Sequence, residues 1–126
     1  YVIGSAKFDV NFNPPYQDIK NSIGNPYLFI TKLKNDGSYV RTIVSSTTSN
    51  NVGSIEGNSI AVDNEQNIYV TGGFSGNLDL DPSEGVMSII STGARDIFVA
   101  KYSTDGKYLW SKSISETSDE YGLSLT

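Results

Sequence analysis

Histidine and cysteine are both absent from this 126-residue chain, and each absence removes a class of chemistry. Without Cys there is no disulfide, thiol nucleophile or haem-attachment motif. Without His there is no imidazole base, no His-containing triad and no histidine-based zinc site. Cationic residues are scarce: nine Lys and Arg stand against fourteen Asp and Glu, for a net charge of −5. Such a chain offers little for gripping a phosphate backbone. No apolar run approaches the roughly twenty residues of a transmembrane helix. The chain opens directly on the strand-like run Tyr1-Val2-Ile3-Gly4, as a mature secreted protein, a proteolytic piece or an excerpt of a longer chain would. The lack of Cys fits a bacterial surface protein or a cytosolic one equally. No residue set that remains points to an enzyme.

What is present favours short strands. Ser, Thr and Asn supply 38 residues, Gly another 12, and Ile with Val 21. β-Branched residues interspersed with turn formers are the composition of many strands joined by tight connections. No ten-residue stretch has helical period, and the nearest attempt, 83–92, is interrupted by Gly85.

The chain also repeats itself. Tyr1-Val2-Ile3-Gly4 returns as Tyr69-Val70-Thr71-Gly72, an offset of 68 positions. Val10-Asn11-Phe12-Asn13-Pro14 returns at that offset as Leu78-Asp79-Leu80-Asp81-Pro82. After one inserted residue, Leu28-Phe29-Ile30-Thr31-Lys32-Leu33 matches Ile97-Phe98-Val99-Ala100-Lys101-Tyr102 at an offset of 69, and the turns Asn35-Asp36-Gly37 and Thr104-Asp105-Gly106 follow in step. Gly57-Asn58-Ser59-Ile60-Ala61 is echoed by Gly122-Leu123-Ser124-Leu125-Thr126. This frame divides the chain into a first unit of about 1–56, a second of about 57–120 and the start of a further unit at 121–126.

Each unit reads as strands. Runs at 59–63 and 67–74 flank the polar turn Asp63–Asn67, and runs at 96–102 and 107–114 flank a turn in which Gly106 accepts a positive φ. In the first unit the same hairpin is 28–33 and 39–44. Phe98 and Ala100 are expected on one face of their strand, with Ile97, Val99 and Lys101 on the other. The long segments 5–27 and 75–95 each contain a short alternating piece ended by Pro, suited to an edge strand. A second short strand at 86–90 would close a hairpin excursion at the rim of the sheet.

The succession 57–63, 67–72, 96–102 and 105–111 resembles the bacterial β-propeller repeat family often labelled SBBP, with Leu78-Asp79-Leu80-Asp81-Pro82 similar to an insertion seen in its surface and secreted versions. The resemblance implies an all-β fold of four-stranded antiparallel blades in large extracellular or envelope proteins, with no shared catalytic residues. It is looser over 1–46, where Ser38-Tyr39-Val40-Arg41 stands in place of the stretch ending on Trp110. Closed propellers need four to eight blades. Two units in a strand-shifted frame therefore suit a piece of a longer array, or a chain whose copies close a ring together. Bare blade faces and strand edges further predict self-association, or cover from neighbouring chains.

Several residues are candidates for chemistry. Asp79 and Asp81, two apart, have the spacing for oxygen ligation of a hard cation such as calcium, within a segment, Glu56 to Asp96, of seven acids and one Arg. The competing expectation places both at solvent-facing positions of an edge hairpin, and the neutral Asn11 and Asn13 at the equivalent positions argue against an obligatory metal. Glycoside hydrolysis would need one carboxyl raised by burial, which an exposed pair lacks. Tyr16, beside Pro14-Pro15, and Glu84 are candidates for a partner-binding rim. Trp110 is expected to be buried between blades. The leading expectation is a non-enzymatic structural or adhesion scaffold, with neither a resident cofactor nor nucleic acid as partner. The alternative is a carbohydrate- or calcium-binding module.

Overall fold

The computed structural model describes residues 1–14, 18–20, 25–45, 52–83, 85, 87–115 and 124–126. Among them there is no helix. The second unit forms one antiparallel meander in the order β10-β9-β7-β6, from β6 (Val52–Val62), β7 (Ile68–Asp79), β9 (Asp96–Tyr102) and β10 (Tyr108–Ile114). This is the four-stranded blade expected from the repeat. The first unit supplies the matching order β1-β4-β5, from β1 (Val2–Ala6), β4 (Tyr27–Leu33) and β5 (Tyr39–Val44). The sheets are open, not closed into a barrel.

Three hairpin turns share one backbone solution. In each, two backbone hydrogen bonds close the loop: Ser103 N to Lys107 O and Gly106 N to Ser103 O in one, with the same pattern at Lys34–Ser38 and Asp63–Asn67. The residue before the second strand then has positive φ: 82° at Gly37, 88° at Gly106 and 65° at Gln66. A three-residue loop of this kind requires that left-handed residue. Two of the turns meet it with glycine, and the third holds a side chain there at a cost.

The rim excursion of the second unit differs from expectation in one respect. The strand expected at 67–74 and the start of the alternating piece in 75–95 are a single twelve-residue strand, β7, which bends at Gly76 (φ 80°). Before the bend β7 pairs with β6 and β9; beyond it Asn77, Leu78 and Asp79 pair with Ile90, Ile89 and Ser88 of β8 (Ser88–Ile90). The left-handed glycine re-aims the strand without breaking it, and opposite it the register shifts within β6, between Val52 and Ser54. In the first unit the excursion is a separate ladder, β2 (Val10–Asn11) against β3 (Ile19–Lys20).

Alternation along the strands builds the core. On β9, Asp96, Phe98, Ala100 and Tyr102 are buried while the residues between them are only half covered. Phe98, with Ile55, Ile68, Val70 and Phe74, joins Leu28, Ile30 and Ile43 of the first unit in one cluster. The approach is closest at Gly57, where a Cβ would lie 2.6 Å from Ile3 Cγ1 and 2.8 Å from Leu28 Cδ1. Any side chain there would force the sheets apart. At the far end Arg41 donates to the Thr104 carbonyl, so the β9–β10 turn is anchored on β5. The two units are thus stacked face to face.

Candidate functional site

The rim candidates centre on Asp79 and Asp81. Contrary to the expectation of two solvent-facing carboxylates, Asp79 is buried at 5% exposure. The reason is local: its Oδ1 accepts the amides of Asp81 at 3.0 Å and Met87 at 3.3 Å, tying the two ends of the rim loop together. Asp81 Oδ1 accepts Ser83 N at 2.9 Å, and Ser83 Oγ accepts Gly85 N at 3.2 Å. Three successive side-chain oxygens each take the amide two residues on, the Asx- and Ser-turn geometry of a chain reversing direction. The base of the loop is pinned by Tyr102, whose hydroxyl donates to the Leu80 carbonyl at 2.7 Å. Burial drives the Tyr102 phenol far above its ordinary pKa, so it stays a donor.

The first unit repeats this arrangement with a neutral residue. Asn11, at the position of Asp79, accepts with Oδ1 from Asn13 N at 3.1 Å and Asp18 N at 3.2 Å. The Tyr27 hydroxyl donates to the Phe8 carbonyl at 3.1 Å, and burial, with Asp9 nearby, raises its pKa. The recurring requirement is an oxygen acceptor, which an amide meets as well as a carboxylate. Among the described residues no group of three or more carboxylates could jointly hold a metal ion. Tyr16 and Glu84 lie outside the described residues.

Two hollows flank the excursions. A cleft of about 440 Å³ opens between the rim loop and the β9–β10 turn, lined by Asp81, Ser83, Asp105, Lys107 and Tyr108. A groove of about 350 Å³ runs along the junction of the two sheets, between 5–7 and 53–56. Beside it Arg95 and Glu56 form a two-pronged ion pair, at 3.2 and 2.5 Å. The Arg95 hydrogen bond and charge hold the Glu56 carboxyl below its usual range.

On the outward face of the second blade lies a cluster that sequence reading passes over. Asp63 Oδ2 accepts the Asn67 side-chain amide at 2.9 Å and the Tyr69 hydroxyl at 3.3 Å, and Lys101 Nζ stands 3.6 Å away. The Asn67 bond is the main reason the Asp63 carboxyl is lowered. Lys101 lies 4.8 Å from the Tyr69 ring centroid and is held raised by the Tyr69 oxygen, with Asp63 adding to it. The same pair recurs in the first unit, with Lys32 5.4 Å from the Tyr1 ring. The matching Tyr1/Tyr69 and Lys32/Lys101 positions are the signal that could have found it. Trp110 meets Tyr69 edge-on at 6.2 Å but is 39% exposed, not buried between blades, because it lies on β10, the edge strand of its sheet.

Asp96, also unforeseen, is fully buried. Burial pushes its carboxyl up, but bonds from Ser115 and from the amides of Thr92 and Gly93 outweigh that and hold it low. Its two backbone bonds, 2.8 Å to Thr92 N and 3.3 Å to Gly93 N, close the return from β8 into β9.

The comparisons agree with this architecture. Residues 50–73, a stretch of 24, match the SBBP family, described as a beta-propeller repeat. That stretch carries β6, its turn and the start of β7. No curated protein and no solved structure matches the chain. Over that stretch the chain is similar to the propeller-repeat family, and an all-β fold of stacked antiparallel sheets is consistent with the similarity.

Proposed function

We propose that the chain is a non-enzymatic scaffold of a bacterial secreted or envelope-associated protein, holding its rim excursions out to a partner. The observation that carries this reading is the contrast between a rigid support and a self-contained loop. The stacked sheets share one core, while Asp81 and Met87 of the rim loop are held by the side chain of Asp79. Binding surfaces are commonly loops positioned on a rigid frame. The fully buried carboxylate Asp96 is held low, the opposite of what a general acid needs. The test replaces residues 81–87 with a Gly-Ser linker and measures adhesion to bacterial envelopes and to immobilised glycans and matrix proteins. Adhesion lost with an unchanged melting curve supports the scaffold. Adhesion retained, or turnover of glycoside or ester substrates by the intact chain, overturns it.

A second reading, a carbohydrate module, is favoured by the cleft in which Asp81, Asp105, Lys107 and Tyr108 meet, a mixture of hydrogen-bonding groups and an aromatic ring. Saturation-transfer NMR with a monosaccharide panel tests it. A transfer signal that disappears in Tyr108→Ala supports it, and no signal with any sugar removes it.

A further inference from the structure

Resting on the reading of the rim as a partner-binding surface, we propose that the cleft between the rim loop and the β9–β10 turn takes a cationic side chain from a basic segment of a partner protein, seated between Asp81, Asp105 and the Tyr108 ring. The two units carry this inference, because they treat the same place differently.

In the first unit the corresponding place is closed from within. Tyr39, the equivalent of Tyr108, donates its hydroxyl to Asp18 Oδ2, and Lys20 Nζ stands 2.5 Å from Asp18 Oδ1. Asp36, the equivalent of Asp105, turns Oδ1 onto Ser38, accepting its amide at 2.9 Å and its hydroxyl at 2.6 Å. Asn13 stands where the second unit has Asp81. A phenol, a carboxylate and an ammonium thus tie the strand after the turn directly to the rim excursion.

The second unit separates the same parts. Met87 donates its amide to Asp79 as Asp18 does to Asn11, so it occupies the Asp18 position, and its thioether is a poor acceptor for a phenol. The Tyr108 hydroxyl pairs with Ser111 Oγ at 2.8 Å instead, and Tyr102 meets the ring edge-on at 6.1 Å, which fixes its place. What the first unit closes is here a cleft of about 440 Å³, within the roughly 300–1,000 Å³ of ligand pockets.

Charge selects the ligand. Asp81 Oδ1 caps Ser83, and among the described residues no cation is paired with this carboxylate. Lys107 Nζ reaches Asp105 only at 3.8 Å, and both side chains are mostly exposed, a pairing that offsets little. A cation beside a tyrosine ring and a carboxylate is also a combination this chain makes elsewhere. Lys101 lies 4.8 Å from the Tyr69 ring centroid and 3.6 Å from Asp63, and Arg41 docks on the same β9–β10 turn through the Thr104 carbonyl. Arginine suits the cleft better than lysine, because its plane stacks on a ring while its fork meets carboxylates.

The test titrates the isotope-labelled chain with the capped peptide Gly-Arg-Gly-Arg-Gly, and with a copy carrying Gln in place of Arg, read by amide NMR shifts. Saturable shifts at Ser83, Gly85, Gly106 and Lys107 with the Arg peptide alone are expected. Asp81→Asn/Asp105→Asn should weaken binding about tenfold, as the loss of two exposed charge pairs would, and Tyr108→Leu about threefold. Asp36→Asn/Glu65→Gln, which removes the same charge from the other turns, should leave binding unchanged. Both asparagines in the cleft keep the acceptor oxygen that caps each turn. If that variant nevertheless unfolds, the contrast between the two peptides on the native chain decides. Shifts scattered over the acidic surface, equal weakening by Asp36→Asn/Glu65→Gln, or saturation by a neutral sugar and not by the peptide overturns the proposal. Its failure is separable from failure of the rim reading. No peptide binding while the Gly-Ser linker chain still loses adhesion removes the cation alone, and adhesion retained by that chain removes both.

Discussion

In the second unit the strand that leaves the blade runs unbroken from Ile68 to Asp79, whereas in the first its counterpart stops at Ala6 and a separate strand begins at Val10. The aromatic residues follow suit. Phe98 is fully buried and meets Phe74 edge-on at 6.3 Å, while its equivalent Phe29 is half-buried against Phe12 at 4.9 Å. The difference teaches what the fourth strand contributes. β6 covers one edge of β7 and brings Ile55 into the core. The β1 edge has no such partner among the described residues, and Val2 stands exposed where Val70 is buried.

The largest way to test that contrast is to empty both aromatic sites. Phe98→Ala is expected to cost about 3–5 kcal/mol, the usual range for a buried Phe. Phe29→Ala should cost less than half as much, both read from urea unfolding midpoints. Equal costs would mean that the two sheets are equally well packed. The rim caps come next. Asp79→Ala should cost about 1–2 kcal/mol by leaving two amides without their acceptor, and Asp79→Asn should change the melting temperature little, since Asn11 already performs the same task. If Asp79→Asn were as damaging as Asp79→Ala, the charge would matter and a cation would return as the explanation. Calcium should leave the melting temperature of the native chain unchanged.

Gln66→Gly sharpens the comparison of turns. Replacing the left-handed Gln66 side chain by the residue found at Gly37 and Gly106 should stabilise by about 0.5–1 kcal/mol, the relief of about 1–2 kcal/mol less the roughly 0.4–1 kcal/mol of unfolded-state entropy that Gly adds, measured by thermal unfolding. The smallest effect is in pH. Asp63, Asp96 and Glu56 all have folded pKa values below their ordinary ones. Their contribution is therefore complete above the normal carboxylate range of about 4 and lost as pH falls through the lower folded values. Lys101 has the opposite sign: its contribution is present below the normal lysine value and lost as pH rises through the raised one. Asp96 is replaced by Tyr27 in the first unit, so acid should loosen the second sheet first. Amide exchange at low pH would show β9 opening ahead of β4, and the reverse order would contradict this assignment.

Much of the fold is legible because it is written twice. Matching strands at 28–33 and 97–102, with an Asp-Gly turn after each, place the hairpins almost to the residue, and alternation on β9 locates its buried face. Less legible is where a strand bends. Asn77 and the residues after it read as a new piece because glycines precede them, yet β7 runs on through Gly76 as one strand that only changes partners. The rim carboxylates are misplaced for a related reason. Spacing of two suggests a shared strand face, but Asp79 ends its strand and turns its oxygen back onto the loop. Asp96 escapes notice because burial of a carboxylate depends on amides that only the folded return supplies. Trp110 misleads because it lies on β10, the edge strand of its sheet, where the Tyr69 ring meets it only edge-on.

The run of caps from Asp79 to Gly85 has one more consequence. Its three successive bonds each span two residues, as does the first of the two at Asn11, and the longer bonds from Met87 and Asp18 span only eight and seven. The order of the loop tip is thus set within a handful of neighbours, with little dependence on distant parts of the chain. Short-range closure of this sort forms early and re-forms easily after local opening. It also decouples the tip from the blade in evolutionary terms. A new tip has only to carry an acceptor at each reversal of direction to be held as firmly as the old one, so the rim is where this repeat can change its surface without refolding its sheets.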